Sequence, residues 1–577
     1  MLKKTAILKA SLAALVAVFM ISCDDFLDVN PEEVITPEQH FKDKDDADAA
    51  IDGIYGKFME LAPQYVILNE LRSDLMDITY NADYYLRQVN LHEVTADNPY
   101  TNPKLFFRLI NESNDILYHF NIMLKEKRLS TDDYNQRYSD IVTLRSWLYY
   151  QLVIHYGSAP YITDPIDDVD DLASLYDETY PVLELSDMID TLLNLMEALP
   201  YKKVYNDYNL VQSVAGYYTR FIFIDKEIFL GDLNLWKNNY TTAASYYKTA
   251  MERDNGLNEF DSYKVCYSGD PYTLDKYNSG YYRYYYWNID SAINHWPWMF
   301  EEDQSSDFYN EWYWIIYYHY DYEPVNPFIR LFSYTGGNYY FKPSASIMED
   351  WKAQIQRNGF KGDFRGNTGS YTMINGQPEI TKYIMNYDES DPFNKEGKWF
   401  LYRAGGVHLR YCEAANRDGK YKVAYSLLNN GIRSNYDEEG AMDLTYLQQT
   451  LLPYPYDFDA RMASGSQIPL GARGLWHRNT GIRGRVYLEN LEVPEGEDSL
   501  MVLENHIIDE AARELAFEGH RWEDLVRIAL RRNDPSFLAD KIYLKLQKGG
   551  YGEAEEVRNR LMDPKNWFLP VPDDNNE

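Results

Sequence analysis

Apolar residues recur along this chain with the spacing of one helix face, which predicts a mainly α-helical protein. The pattern occurs at residues 50–58, 105–120, 141–152, 211–229 and 240–250. Side chains three and four positions apart share one face of a helix, so each segment can bury a single apolar stripe. We predict that the first helix starts at Thr36, a capping residue followed by Pro37, and that the third ends at Gly157.

Two of the helices occur as helix-turn-helix pairs with similar sequences. Residues 237–239 form a polar turn before the helix at 240–250, and residues 417–420 form a similar turn between helices at 409–416 and 421–432. Tyr and Ala occupy matching places on the second helix of each pair. Because such pairs bury only one face alone, they stack on one another. The sequence therefore predicts a tetratricopeptide-like scaffold.

Residues 255–398 lack the helical period and are rich in Gly, Pro, Asn and Tyr, so we predict loops, short helices and small hairpins there. Within this region, residues 281–322 contain 18 aromatic residues in 42, against 16% for the whole chain. Two interpretations stay open: the rings form a core, or some of them form a platform for a flat, hydroxylated or chain-like ligand.

The aromatic stretch divides into a front half, residues 281–298, and a rear half, residues 309–322. Pro297 between Trp296 and Trp298 disfavours a regular helix through both rings, so we expect exposed loop rings there. Residues 309–322 are more typical of buried packing. A second candidate wall is the loop at 80–85, whose amide and carboxylate are suited to hydrogen bonds with hydroxyl groups. The predicted ligand-binding residues are Trp296, Trp298, Trp287, Tyr282, Tyr284, Tyr80, Asn81, Asp83 and Tyr84.

Residues 1–22 have the pattern of an export signal, with Lys3 and Lys4 before an apolar run. The run ends in Met20-Ile21-Ser22-Cys23, which resembles a bacterial lipobox, so we expect acyl chains on Cys23. Asp24 and Asp25 resemble the signature that directs some lipoproteins to the outer face of the outer membrane. We expect residues 23–577 to form a single domain, with the helical scaffold at about 36–254 and 399–577 and the binding region at about 255–398.

The charge of the chain argues against a nucleic-acid partner. The formal net charge is −34, and loss of Lys3, Lys4 and Lys9 with the signal makes it −37. Such a surface repels phosphate backbones. After lipidation only Cys266 and Cys412 remain, and the sequence leaves open whether they pair.

No sequence motif for a hydrolase, a phosphate loop or a zinc site is present, so we expect neither catalysis nor a cofactor or metal. We interpret the carboxylates Glu510, Glu514 and Glu518 as members of surface ion pairs with nearby arginines. We interpret a second group, Arg473, Arg478, Arg483 and Arg485, as a loop that pairs with the acidic surface; the alternative is a site for an acidic sugar or a peptide carboxylate.

Several segments resemble the SusD/RagB family of outer-membrane nutrient-binding lipoproteins. The segments that resemble the family are residues 105–114, 143–150 with 155–160, 343–344 with 363–365, 410–414 with 430–433, 514–527 and 568–572. Ala511 departs from the family pattern, which usually has Arg after Glu510, and so does the Tyr-rich middle region.

The resemblance implies a SusD-like fold with a helix-pair scaffold and a loop-rich ligand-binding region. It implies a lid on a SusC-type TonB-dependent transporter, held at the outer membrane and facing the extracellular side. Such a lid passes an oligosaccharide or polysaccharide to the transporter. Two alternatives stay open: a peptide-binding lid of the same fold, and a surface hydrolase.

Overall fold

The computed structural model of the protein describes residues 41–166, 180–205, 209–253, 296–301, 311–391, 393–436, 448–461, 475–476 and 479–571. The helices in these residues are α1 (Lys44–Phe58), α2 (Ala62–Val66), α3 (Tyr84–Asn90), α4 (Lys104–Lys125), α5 (Thr131–Tyr156), α6 (Leu185–Glu197), α7 (Lys226–Trp236), α8 (Tyr240–Met251), α9 (Trp298–Glu301), α10 (Pro327–Phe332), α11 (Ala345–Ala353), α12 (Ala404–Arg417), α13 (Tyr421–Leu428), α14 (Ile432–Asn435), α15 (Ile482–Arg485), α16 (Ser499–Leu515), α17 (Arg521–Arg532), α18 (Ser536–Lys548) and α19 (Ala554–Leu561). The strands are β1 (Met76–Ile78), β2 (Ser158–Pro160), β3 (Val182–Glu184), β4 (Ser213–Val214), β5 (Tyr217–Tyr218), β6 (Trp312–Tyr318), β7 (Phe341–Pro343), β8 (Tyr371–Ile374), β9 (Gln377–Ile380) and β10 (Gly397–Arg403). A mainly α-helical fold is confirmed.

Capping residues set the ends of the N-terminal helices. Asp43 begins α1 by accepting hydrogen bonds from the backbone amides of Asp45 and Asp46. The predicted start at Thr36 lies outside the described residues. Helix α5 ends at Gly157 as predicted, where φ is +82°. A Cβ at this glycine would lie 2.8 Å from the Phe568 ring, so the turn also lets the C-terminal segment approach closely.

The predicted helix-turn-helix pairs are α7 with α8 and α12 with α13, and both pairs are confirmed. The predicted end of the last helix at residue 432 is wrong, because α13 ends at Leu428 and Gly431, at φ +87°, precedes the separate helix α14. Helix α8 packs against α12, and α12 and α13 pack against α16, so the pairs stack side by side. Gly231 in α7 permits the close approach within the first pair, because a Cβ there would lie 2.5 Å from the Tyr247 ring. This stacking is the tetratricopeptide-like scaffold that the sequence predicts.

The prediction of one helix across 211–229 is wrong. Strands β4 and β5 form a short hairpin there, and its turn places Ala215 at φ +50° and Gly216 at φ +85°. Helix α7 starts only after Asp225, whose carboxylate accepts from the amide of Ile228 at 3.2 Å. The apolar residues of this segment therefore belong to the hairpin, to the short 3-10 helix Thr219–Phe221 and to α7, and their helical spacing does not reflect one helix.

Two antiparallel strand pairs organise the described part of the middle region. Strand β6 pairs with β10, from Tyr318 opposite Gly397 to Trp312 opposite Arg403. Strands β8 and β9 form a hairpin, and its Asn375-Gly376 turn has positive φ at both residues, as a type I′ turn requires. The predicted small hairpins are confirmed here.

Strand β6 contains the rear half of the aromatic stretch, and its rings join the middle region to the scaffold. Phe58 of α1 stacks between Trp314 of β6 at 5.6 Å and Trp399 of β10 at 5.0 Å, measured between ring centroids. Trp147 of α5 meets Trp314 edge-on at 5.2 Å. The prediction of buried packing is confirmed for most of β6. It is wrong for Tyr320 and Tyr322, which are 56% and 55% exposed.

The carboxylates Glu510, Glu514 and Glu518 are completely buried, so their interpretation as surface pairs is wrong. Glu510 accepts hydrogen bonds from Arg365 at 2.6 Å and from Arg483 at 2.7 Å. Glu518 accepts from Arg403 at 2.7 Å. Burial alone would raise the pKa of Glu510, but the positive charges of nearby arginines hold it well below its usual range.

Glu514 lies at the centre of the same network. It accepts hydrogen bonds from Arg365 and Arg403 at 2.8 Å each, and it contacts Arg485. Arg483 and Arg485 thus face the interior, which corrects their assignment to a loop on the acidic surface. Arg473 and Arg478 lie outside the described residues, as does Cys266, whereas Cys412 is buried in α12. Within the described part of the chain, no helix is both long and apolar enough to cross a membrane.

Candidate ligand-binding site

The short sheet of β1 and β7 holds the predicted loop at 80–85 beside a second segment, residues 338–340. Ile78 pairs with Phe341, and the Thr79 amide donates to the Tyr340 carbonyl at 2.9 Å. The Thr79 hydroxyl also donates to the Tyr339 carbonyl. Two segments that are some 260 residues apart in sequence are therefore adjacent in the structure.

The predicted loop ends at Asp83, because Tyr84 and Tyr85 form the start of α3, and Tyr80 and Tyr84 are the exposed rings of this segment. Tyr80 is 74% exposed and Tyr84 is 69% exposed. Tyr84 meets the neighbouring Tyr85 ring edge-on at 5.6 Å. Neither the Tyr80 nor the Tyr84 hydroxyl has a hydrogen-bond partner among the described residues. Both rings thus offer an apolar face and an open hydroxyl group to a ligand.

Asn81 and Asp83 hold the loop in place. The Asn81 side-chain amide donates to the Asn338 carbonyl at 2.9 Å, so it links the two segments. The two carboxylate oxygens of Asp83 accept from the Leu86 amide at 2.9 Å and from the Tyr100 hydroxyl at 2.7 Å. Asp83 is therefore the cap of α3 and the anchor of Tyr100. Burial and the adjacent Asp83 raise the pKa of Tyr100, so this phenol remains a hydrogen-bond donor.

A cavity of about 250 Å³ lies beside the loop, and it is lined by Tyr100, whose hydroxyl donates to Asp83 of the loop. Other lining residues include Gln64, Leu331, Tyr340, Arg330 and Glu60, and the Glu60 carboxylate pairs with Arg108. The Asn338 side chain donates to the Tyr340 hydroxyl at 2.6 Å, which fixes that ring relative to the loop. Arg330 is exposed, and no carboxylate of a described residue lies within 4.0 Å of its guanidinium. The cavity thus combines apolar walls with a cation that is available to a ligand.

Trp296 does not stand exposed, which corrects the expectation for this ring. It is 2% exposed and packs in a hydrophobic cluster with Phe300, whose ring centroid is 5.7 Å away. Its ring also lies 5.4 Å from the Lys382 ammonium and 5.3 Å from the Arg403 guanidinium. Two buried cations from distant parts of the chain therefore draw this indole inward through cation–π contacts.

The other front-half residues are only in part within the described chain. Trp296 and Pro297 precede the short helix α9, and Trp298 is its first residue. The two tryptophans are therefore not in one regular helix, as predicted. Tyr282, Tyr284 and Trp287 lie outside the described residues, so their ligand-binding role stays a prediction.

Sequence reasoning missed four residues of this surface: Tyr100, Asn338, Tyr340 and Arg330. Tyr100 follows Asn98-Pro99, a local signal for the short 3-10 helix Pro99–Thr101, and Asn98 caps it by accepting from the Tyr100 amide at 3.0 Å. No such signal places residues 338–340 or Arg330 beside the Tyr80 loop, because long-range strand pairing brings them there.

The helix-pair scaffold thus carries exposed aromatic rings beside a partly apolar cavity. Two family profiles match parts of this chain. The profile of the SusD family matches residues 479–575, and that of the family described as starch-binding and associating with the outer membrane matches residues 25–220. The chain belongs to the SusD-like family.

Solved structures with this fold include a SusD superfamily protein from Bacteroides vulgatus, with TM-score 0.57 and 14% identity over 92% of this chain and 96% of that one. Surface glycan-binding protein A from Bacteroides uniformis has TM-score 0.55 and 13% identity over 91% and 96% of the two chains. A laminarin-binding SusD-like protein has TM-score 0.52 and 12% identity over 92% and 97%. Among curated proteins, none matches this sequence.

Proposed function

We propose that this protein binds an oligosaccharide or polysaccharide at the surface formed by Tyr80, Tyr84 and the adjacent cavity. It passes the glycan to a SusC-type TonB-dependent transporter, and acyl chains on Cys23 hold it at the extracellular side of the outer membrane. Family membership supports this proposal. So do the starch-binding description of the profile at residues 25–220 and the glycan-binding names of two proteins with the same fold.

The observation that carries the proposal is the exposure of Tyr80, on the loop, and of Tyr84, at the start of α3, in a segment that hydrogen bonds otherwise hold in place. A sugar ring has apolar C–H faces that pack on an aromatic ring, and its hydroxyl edges bond to the phenols and to Asn81. Aromatic stacking with nucleic-acid bases contributes about 1–3 kcal/mol per ring, and we take that as the upper range for a sugar. Two rings then give about 2–6 kcal/mol, which corresponds to weak binding that a transporter can reverse.

One observation favours the peptide alternative. Arg330 lies on the cavity wall, and its guanidinium has no carboxylate partner among the described residues. A guanidinium binds a peptide carboxylate with two parallel hydrogen bonds. A glycan without acidic groups would gain only ordinary hydrogen bonds from the same side chain. Arg330 therefore distinguishes the two ligand classes.

The test is a binding screen of the purified protein on soluble polysaccharides that include starch and laminarin, with an acidic-peptide library in parallel. For the glycan that binds, we expect Tyr80→Ala and Tyr84→Ala each to raise the dissociation constant about 5- to 150-fold. Tyr118→Ala is the matched control, because Tyr118 is 50% exposed on α4. Unchanged binding by the Tyr80→Ala, Tyr84→Ala double variant would move the site elsewhere.

Arg330→Gln separates the ligand classes in the same assay. On a neutral glycan we expect a dissociation constant within about threefold of wild type and little dependence on salt. A loss of tenfold or more that disappears at high salt would favour the peptide alternative. We expect no turnover of any bound glycan, and cleavage products in the incubation mixture would contradict the assignment as a binding protein.

A further inference from the structure

A second cavity, of about 360 Å³, lies between the C-terminal end of α3 and the segment that follows α19. Its polar lining side chains are Arg72, His92, Arg560, Lys565 and Asn566, and none of its lining residues is Asp or Glu. The whole chain has 90 acidic and 56 basic residues, so a cavity lined only by cationic and neutral side chains runs against its composition. An electropositive concavity in an acidic protein indicates an anion ligand.

Arg72 is the buried cation of this cavity. Its side chain is one of the largest that are fully buried, and no carboxylate of a described residue lies within 4.0 Å of it. One guanidinium N–H group donates to His155 Nδ1 at 3.1 Å, and another donates to the Trp567 carbonyl. The guanidinium carbon lies 3.9 Å above the Trp522 ring. Since an arginine carries five N–H donors, three of them have no partner among the described residues.

A buried charge without a counter-ion is unfavourable, so burial favours the neutral form of Arg72. Burial lowers the pKa of Arg72 to about 9. Lys545 lies close by and donates to the backbone carbonyls of Leu71 and Ser73 at 2.6 and 2.9 Å. Burial also lowers the pKa of Lys545 to about 8. Glu70, Asp74 and Asp77 lie near Lys545 and oppose this effect, so of these two cations Arg72 is the one without a carboxylate partner among the described residues, and a bound anion would supply one.

The other two cations of the cavity differ in their partners. Lys565 is exposed, and its ammonium has no carboxylate within 4.0 Å among the described residues. Arg560 donates to the His92 carbonyl at 3.0 Å and forms ion pairs with Glu93 at 3.3 Å and Glu556 at 3.1 Å, so carboxylates already balance its charge. His92 donates through Nε2 to the Arg72 carbonyl at 2.9 Å. Burial and the nearby Arg72 lower the pKa of His92 well below its usual value, so the ring is neutral.

We propose that this pocket binds a compact dianionic oxyanion, a phosphate or a phosphate monoester. Arg72 binds it from the buried end and Lys565 from the exposed end. A dianion suits the site because these two lining cations have no carboxylate partner among the described residues, and the fork of a guanidinium matches the spacing of two phosphate oxygens. This proposal is independent of glycan binding at the Tyr80 surface.

Isothermal titration of the purified protein with inorganic phosphate, at constant ionic strength in sodium chloride, tests the proposal. We expect saturable one-to-one binding, with acetate at least tenfold weaker because it carries one charge. Lys565→Gln should weaken phosphate binding about tenfold, and Lys565→Arg should retain it. Lys548→Gln is the control, since Lys548 is an exposed lysine paired with Glu349.

Three results would overturn the proposal. The first is no saturable phosphate binding by the wild-type protein, and the second is equal binding by wild type and Lys565→Gln. The third concerns Asp573 and Asp574, which follow the cavity-lining Pro570 in sequence and lie outside the described residues. Phosphate binding only by the Asp573→Asn, Asp574→Asn double variant would mean that the chain's own carboxylates fill the pocket.

Arg72→Gln is a second variant, whose phosphate binding is measured once its circular dichroism spectrum matches that of wild type.

Discussion

Glu514 is the side chain whose neutralisation should destabilise this fold most clearly. Its carboxylate is fully buried and contacts Arg365, Arg403 and Arg485, which belong to three different parts of the chain. Among the described residues, the ion pairs around it join six cations, Arg365, Lys382, Arg403, Arg483, Arg485 and Arg513, to six carboxylates, Glu311, Asp350, Asp363, Glu510, Glu514 and Glu518. The network is therefore neutral as a whole.

Glu514→Gln removes one negative charge and leaves a buried excess of one positive charge. Breaking a buried pair in this way costs about 3–5 kcal/mol, because the remaining charge has lost both water and its partner. Glu349→Gln is the matched control: Glu349 has a 60% exposed side chain and one ion pair, to Lys548, so its loss should cost no more than about 1 kcal/mol. Urea titration followed by tryptophan fluorescence gives both free energies of unfolding.

The same carboxylate predicts a dependence on pH. Burial alone would raise the pKa of Glu514, but Arg485, Arg403 and Arg365 hold it well below the ordinary value of 4.5. A carboxyl group with a lowered pKa stabilises the folded state above its unfolded-state pKa, and this contribution is lost as the pH falls. The difference in stability between wild type and Glu514→Gln should therefore be largest near pH 7 and shrink below about pH 4.5. A difference under 1 kcal/mol at pH 7, or one that grows toward acid, would refute this reasoning.

Two further predictions concern the binding loop and the membrane anchor. Tyr100→Phe removes the hydrogen bond to Asp83, which loosens the start of α3. It should therefore lower the free energy of unfolding by about 1 kcal/mol and weaken glycan binding. A variant with unchanged thermal midpoint and affinity would contradict this. Cys23→Ser should move the protein from the membrane fraction to the soluble fraction on cell fractionation, since a protein without acyl chains has no stable anchor; continued sedimentation with membranes would argue against lipidation.

The sequence predicts the scaffold well where apolar spacing and turn residues agree. Helices α4, α5, α8, α12 and α13 each have an apolar stripe and a polar or glycine-containing boundary. The prediction fails at 211–229 because the Ala215-Gly216 turn interrupts a segment whose apolar residues still fit a helical period. Periodicity alone does not distinguish a short hairpin followed by a helix from one long helix.

The candidate site is predictable only in its local part. The Tyr80 loop is visible in the sequence as a polar, aromatic segment without period, and its rings are exposed in the structure. The burial of Trp296 is not predictable, because it depends on Lys382 and Arg403, which are about 90 and 110 residues away in sequence. The burial of Glu510, Glu514 and Glu518 has the same origin: their arginine partners come from other segments, and spacing along one helix contains no information about them.

The aromatic residues of this protein therefore serve two separate purposes, and mutations at them should separate in the same way. Trp314, Trp399 and Phe58 fill the junction between scaffold and middle region, so truncating one of these rings opens a cavity and costs about 3–5 kcal/mol. Tyr80 and Tyr84 are exposed and make no side-chain hydrogen bond within the described residues, so their loss removes ligand contact and little stability. Because the loop itself is held by Thr79, Asn81 and Asp83, the two tyrosines keep their positions without a ligand. Binding then requires little ordering of the protein, so the contacts of the two rings and the hydrogen bonds beside them contribute directly to the affinity.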